Sequence, residues 1–186
     1  RSYDLGAGVD KLTLVGTGNT ATLTNVETIT GSTGADVLTI SSNTTNGVFN
    51  LGSGTDSLSF TASTGINTVT ISSVETITTD ATDDTITLGT GVTNGSINLG
   101  GGVNKLTLSA AANTITVSNV ESVVGGTSDD KLTFQTQITA GNYNLGTGTL
   151  DTLTLANFDN TLTATGVETV VGNAGVDDIT LGSAAA

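Results

Sequence analysis

The stretch Val167–Leu181, VETVVGNAGVDDITL, decides the fold. It reads as a short β-branched strand, a glycine-bearing turn (172–176), an aspartate (Asp177) and a second alternating strand. Three earlier stretches follow the same pattern: VETITGSTGADVLTI from Val26, VETITTDATDDTITL from Val74 and VESVVGGTSDDKLTF from Val120. Their glutamates, Glu27, Glu75, Glu121 and Glu168, lie 48, 46 and 47 residues apart. So regular a period is produced by a repeated structural unit.

Working outward, each period holds two related halves. The first half appears as SYDLGAGVDKLTL, VFNLGSGTDSLSF, SINLGGGVNKLTL and NYNLGTGTLDTLTL; the second is the VET stretch. Both halves end their turn on Asp10, Asp36, Asp56, Asp84, Asn104, Asp130, Asp151 or Asp177, about 24 residues apart on average. The longer intervals carry an additional strand, such as NTATLT at Asn19 or NTITV at Asn113. Apolar residues alternate with Thr and Ser, and no helical spacing is sustained. The pattern predicts an all-β chain, a parallel β-solenoid (β-helix) of about eight coils in four two-coil repeats, bounded near 1–48, 49–96, 97–142 and 143–186. Eight coils at the inter-strand spacing make a rod about 38 Å long. Leu12, Leu38, Leu58, Ile86, Leu106, Leu132, Leu153 and Ile179 are expected to form one inward ladder, with Val26, Val74, Val120 and Val167 in another.

Composition narrows the function. Seventeen acidic residues against four basic ones, without histidine, give a net charge of -13. Such a surface repels nucleic acid and anionic lipid and suits multivalent cations. There is no cysteine for disulfides or thiolate metal sites, which fits an exported protein that does not depend on oxidative folding. No apolar run approaches a membrane span, so no membrane insertion is expected.

The turns resemble the G-G-x-G-x-D-x-U-x repeats of RTX (hemolysin-type calcium-binding) proteins. Gly172 to Ile179 and Gly31 to Leu38 match with the second glycine replaced, and Gly125 to Leu132 keeps both leading glycines. The V-E-T lead-in is similar to segments of bacterial S-layer proteins and large adhesins. The resemblance implies calcium as cofactor, held at corners by Asp10, Asp36, Asp56, Asp83, Asp84, Asp129, Asp130, Asp151, Asp177 and Asp178, with the adjacent pairs as the strongest sites. It also implies an extracellular location on the bacterial cell surface. The chain departs from RTX spacing: its turns recur about every 24 residues, Asn104 replaces an aspartate, Leu150 is inserted before Asp151, and 79–84 lacks glycine. Corners in which Asp, Asn and Gly serve only the backbone are the alternative.

The four glutamates read as a solvated face, with Asp4, Asn50, Asn98 and Asn144 in the comparable place of the alternate coils. Their fourfold repetition argues against an enzyme, because a glycosidase needs one carboxylate pair at a fixed separation. T-x-T motifs such as Thr22-Leu23-Thr24 resemble the faces of ice-binding solenoids, although they fall on several different strands. The functional expectation is an extracellular structural repeat protein, a building block of a surface filament or S-layer-like assembly. A stalk or binding region of a secreted adhesin is the alternative, and ice binding a more distant one. Joining GSAAA at the end to RSY at the start nearly continues the repeat phase, so the expected partner is a head-to-tail copy or further repeats of a longer array.

Overall fold

Short β-branched runs punctuated by glycine and asparagine fold as twenty strands in the computed structural model, which describes residues 1–61 and 65–182. The GSAAA tail used in the junction count lies outside the described residues beyond Gly182. The first repeat supplies β1 (Ser2–Asp4), β2 (Lys11–Thr13), β3 (Thr20–Thr24), β4 (Thr28–Ser32) and β5 (Val37–Ile40). The second supplies β6 (Thr45–Gly52), β7 (Ser57–Phe60), β8 (Thr68–Ser72), β9 (Thr76–Thr78) and β10 (Thr85–Leu88). The third supplies β11 (Thr93–Asn98), β12 (Lys105–Thr107), β13 (Thr114–Ser118), β14 (Ser122–Val124) and β15 (Lys131–Phe134). The fourth supplies β16 (Gly141–Asn144), β17 (Thr152–Thr154), β18 (Thr161–Thr165), β19 (Thr169–Val171) and β20 (Asp178–Leu181).

All odd-numbered strands pair in one ten-stranded parallel sheet and all even-numbered strands in a second. The chain therefore winds as a parallel β-solenoid with two strands per turn. One turn takes as few as 17 residues, where Thr20 pairs with Val37, and as many as 23, where Thr45 pairs with Thr68. Ten strands per sheet make nine steps, so the solenoid has about nine turns in place of the eight coils counted from sequence.

The difference has a simple cause. Each repeat contributes five strands, and five is odd, so a repeat spans two and a half turns instead of two coils. Successive repeats enter opposite sheets. The strands that follow Glu27 and Glu121 (β4, β14) lie in the even sheet, and those that follow Glu75 and Glu168 (β9, β19) in the odd sheet. One repeat maps onto the next by a half-turn about the rod axis and a rise of about 12 Å, two and a half inter-strand spacings.

The same parity splits the expected leucine ladder. Leu38 stacks on Leu58, and Leu132 on Leu153, in the odd sheet, whereas Ile86 stacks on Leu106 in the even sheet. What fills the rod instead are rows drawn from all five strand types. Leu38, Leu58, Ile77, Ile97, Val117 and Phe134 run along one sheet and Val69, Ile86, Leu106, Val123, Tyr143 and Ala164 along the other, all buried. Burying each large aliphatic side chain contributes about 1.5–3 kcal/mol, the main favourable term in a chain with few aromatic residues.

Corners are set by glycine at one recurring place, after the N-L or D-L that ends the first strand of each repeat. Gly6, Gly52, Gly100 and Gly146 there have φ of 86°, 91°, 69° and 96°. At Gly100 an added Cβ would also stand 1.6 Å from the Asp80 carbonyl oxygen of the adjacent coil. Gly100→Ala is therefore expected to cost about 2 kcal/mol or more, through a left-handed backbone and a backbone clash together. Chemical denaturation of the variant against the parent checks this.

Candidate functional site

Every acidic residue singled out at a turn end sits immediately before a strand, so parallel stacking brings these residues together at the entry edge of each sheet. Along the odd sheet the order is Asn19, Asp36, Asp56, Glu75, then Val92, Asn113, Asp130, Asp151 and Glu168. Along the even sheet it is Asp10, Glu27, Thr44, Asn67, Asp84, Asn104, Glu121, Ile138, Asn160 and Asp177. Both edges repeat one five-rung pattern: a residue without an acceptor side chain at the end (or Thr), Asn, Asp, Asp or Asn, and Glu.

Each side chain reaches back one coil and accepts the backbone N–H of the preceding rung. The Asn19 N–H donates to Asp36 Oδ1 at 2.7 Å, Asp36 to Asp56 Oδ1 at 2.6 Å, and Asp56 to Glu75 Oε2 at 2.8 Å. On the second odd-sheet ladder the Val92 N–H donates to Asn113 Oδ1 at 3.1 Å, Asn113 to Asp130 Oδ1 at 2.9 Å, Asp130 to Asp151 Oδ1 at 2.6 Å, and Asp151 to Glu168 Oε2 at 2.7 Å. The even sheet repeats the scheme through Asp10–Glu27, Asn67–Asp84–Asn104–Glu121 and Asn160–Asp177. The N–H of the residue just before each strand lies beyond the sheet ladder and would be orphaned; a side-chain oxygen from the next coil satisfies it. The asparagines add a second donor to the same oxygen: Asn113 Nδ2 reaches Asp130 Oδ1 at 2.9 Å.

The glutamates thus serve the ladders while staying open to solvent: Glu27, Glu75 and Glu121 are half-buried and Glu168 is exposed. Glu75 and Thr76 both donate their N–H to the Asp56 carbonyl, at 3.2 and 3.0 Å, while the longer Glu side chain returns to the Asp56 N–H. Asp4, Asn50, Asn98 and Asn144 do not share their rows. They close local turns, for example with the Gly52 N–H donating to Asn50 Oδ1 at 3.1 Å.

Each adjacent acidic pair divides between inside and outside. Asp84 and Asp130 are buried rungs, whereas Asp83 is exposed and Asp129 partly so. Asp83 Oδ1 accepts the Val103 N–H at 2.7 Å, and Asp129 Oδ1 the Thr149 and Leu150 N–H groups at 2.8 and 3.1 Å. Those two backbone donors hold the Asp129 carboxyl below its ordinary range. Asp177 is a half-buried rung, and Asp178 lies exposed on β20. Burial pushes the carboxyls of Asp56, Asp130 and Asp151 upward.

The donor chemistry bears on the calcium expectation. The rung oxygens that face one another along the edge are met by N–H donors, and among the described residues no three Asp or Glu side chains gather as a metal-ligand cluster. The second oxygen of Asp10, Asp56, Asp84, Asp130 and Asp151 is buried without a hydrogen-bond partner, as is Asp80 Oδ2. The ladders were legible as an offset: Asp10–Glu27, Asn19–Asp36, Asn67–Asp84 and Asn113–Asp130 are each 17 residues apart, one short turn.

Fold and edges together define a repetitive parallel β-solenoid whose acidic residues staple one coil to the next. No family model, curated protein or solved structure matches the chain.

Proposed function

We propose that this chain is a structural rod of an extracellular surface assembly, of the kind that forms filaments or S-layer-like arrays. The observation that carries the reading is the repetition itself. Two continuous ten-stranded sheets are built from four equivalent five-strand units, and the buried acidic residues recur as rungs that hold one coil to the next. Catalysis uses a singular constellation, whereas a rod uses a period. An adhesin stalk shares this design and differs in what it would carry at its end.

Parity also supports head-to-tail continuation. Four half-turns return the chain to its starting orientation, so a following first-type strand would add to β19 in the odd sheet, where β11 follows β9. Leu5, Leu12, Val170 and Ile179 are only partly buried, an apolar edge that a stacked second copy would cover. Sedimentation and electron microscopy test the self-association. Particles in multiples of a unit about 45 Å long are expected; monomers at all concentrations would remove the head-to-tail component.

Calcium belongs to this reading as a counter-ion for outward acids, with Asp83, Asp129 and Asp178 as its sites, because a chain of net charge -13 repels itself. The N–H groups of the rungs find acceptors within the protein, so the chelated chain is expected to stay β-folded and to gain stability in millimolar calcium. Thermal melts in chelator and in calcium check this, and equal midpoints would remove calcium from the account.

A further inference from the structure

Four positions occupy the same rung, immediately before β2, β7, β12 and β17: Asp10, Asp56, Asn104 and Asp151. Their backbones are superposable in hydrogen bonding. Each N–H donates to the Glu of the following coil, at 2.8, 2.8, 2.7 and 2.7 Å, and each carbonyl accepts that Glu's N–H at 3.1–3.2 Å. Where the third copy has asparagine, the side chain shows what the rung requires. Asn104 Oδ1 accepts the Asp84 N–H at 2.8 Å, and Asn104 Nδ2 donates to two backbone carbonyls, Gly101 O at 3.0 Å and Asn119 O at 3.2 Å.

Asp56 and Asp151 reproduce the first half of that arrangement. Their Oδ1 atoms accept the N–H of Asp36 and of Asp130, both at 2.6 Å. Their Oδ2 atoms stand in the place of the Asn104 amide nitrogen, buried and without a partner, in residues that are 1 % and 0 % exposed. The carbonyl counterpart of Asn119 is Ser73 beside Asp56 and Gly166 beside Asp151; all three residues have left-handed φ, 56°, 55° and 59°. An ionised oxygen aimed where an amide donates is opposed by those carbonyl dipoles. We propose that Asp56 and Asp151 are held as neutral carboxylic acids, each donating its one Oδ2–H to a backbone carbonyl equivalent to those that receive the Asn104 amide in the third repeat, Ser73 O for Asp56 and Gly166 O for Asp151.

The surroundings agree. Asp36 and Glu75 face Asp56 from the coils on either side, and Asp130, Asp129 and Glu168 face Asp151, with Lys131 opposite Thr152 the basic residue next to that rung. Burial and these acidic neighbours raise both carboxyls, with burial the larger cause. A rung filled by either an amide or a protonated acid is chemically uniform, which accounts for Asn and Asp being interchangeable here. The consequence is a proton-linked rod. Folding takes up protons at these rungs, so their contribution is complete below the ordinary Asp range and is lost as pH rises through the raised folded-state pKa. The inference is independent of assembly and of outward calcium sites.

The test is denaturation of the full chain across the acid-to-neutral range, in chelator and in millimolar calcium, for the parent, Asp56→Asn, Asp151→Asn and Asn104→Asp. Each Asp→Asn variant is expected to match or exceed the parent midpoint at neutral pH and to lose about one proton of folding-linked uptake. Asn104→Asp is expected to equal the parent in acid, to fall below it at neutral pH and to gain about one proton of uptake. Asp→Asn variants that are destabilised at neutral pH, or that leave the pH dependence unchanged, overturn the proposal. So does a parent whose neutral-pH stabilisation by calcium vanishes on Asp56→Asn or Asp151→Asn, since a cation would then hold the oxygen in place of the proton. Carboxyl NMR adds a readout free of folding effects: ionised Asp56 and Asp151 at neutral pH would also overturn it.

Discussion

Asp130→Ala is expected to lower stability by about 3–5 kcal/mol. Asp130 Oδ1 receives two donors from Asn113, the backbone N–H at 2.9 Å and the amide at 2.9 Å, in a buried corner. Alanine leaves the Asn113 N–H without its acceptor, leaves the Asn113 amide with only the Ala111 carbonyl at 2.8 Å, and opens a small void between coils. Asp130→Asn keeps an acceptor at Oδ1 and should lose much less. Denaturation midpoints of the two variants separate the acceptor's contribution from the carboxylate's charge. Equal losses would mean that charge, and not the hydrogen-bond acceptor, holds the corner.

The second large effect is expected at Tyr143. The side chain is fully buried, its ring centroid lies 4.7 Å from that of Phe134, and its hydroxyl donates to the Val120 carbonyl at 2.8 Å. Tyr143→Ala should cost about 3–5 kcal/mol through lost transfer energy and the cavity left behind. Tyr143→Phe keeps the packing and strands only the Val120 carbonyl, for about 1 kcal/mol. Gly141 explains how so large a ring fits: a Cβ there would stand 2.4–2.5 Å from the ring and hydroxyl atoms. Gly141→Ala is expected to be nearly as damaging as Tyr143→Ala, and comparing the melts tests whether glycine and tyrosine act as a pair.

The sequence disclosed the fold class because strand periodicity and turn residues are local properties. The number of turns was harder to read. Similarity at a 47-residue spacing reports the repeat unit, not the coil, and the x-L-T-h strands look alike whichever sheet they enter. Counting strands would have supplied the missing parity: KLTL, NTATLT, VETIT, DVLTI and VFNL are five consecutive strands from one repeat to the next. For the edges, the aspartates are legible as recurring turn-end residues, and the structure distributes the buried ones as rungs along the edges of both sheets. Their partners were hidden, because a backbone N–H one coil away leaves no trace in residue identity. Only the constant 17-residue offset between Asn19 and Asp36, or between Asn104 and Glu121, points to them. Which member of Asp83–Asp84 turns inward is decided by strand alternation beginning at Thr85, and that start is set by stacking.

The half-turn relation between repeats gives the rod no front or back. The outward sequence of strand types along the odd sheet recurs along the even sheet, displaced by about 12 Å. A ligand that recognises one broad face therefore meets the same pattern on the opposite face. A partner with two sites for such a face would cross-link rods into sheets, its avidity set by the spacing of the faces instead of by any single contact.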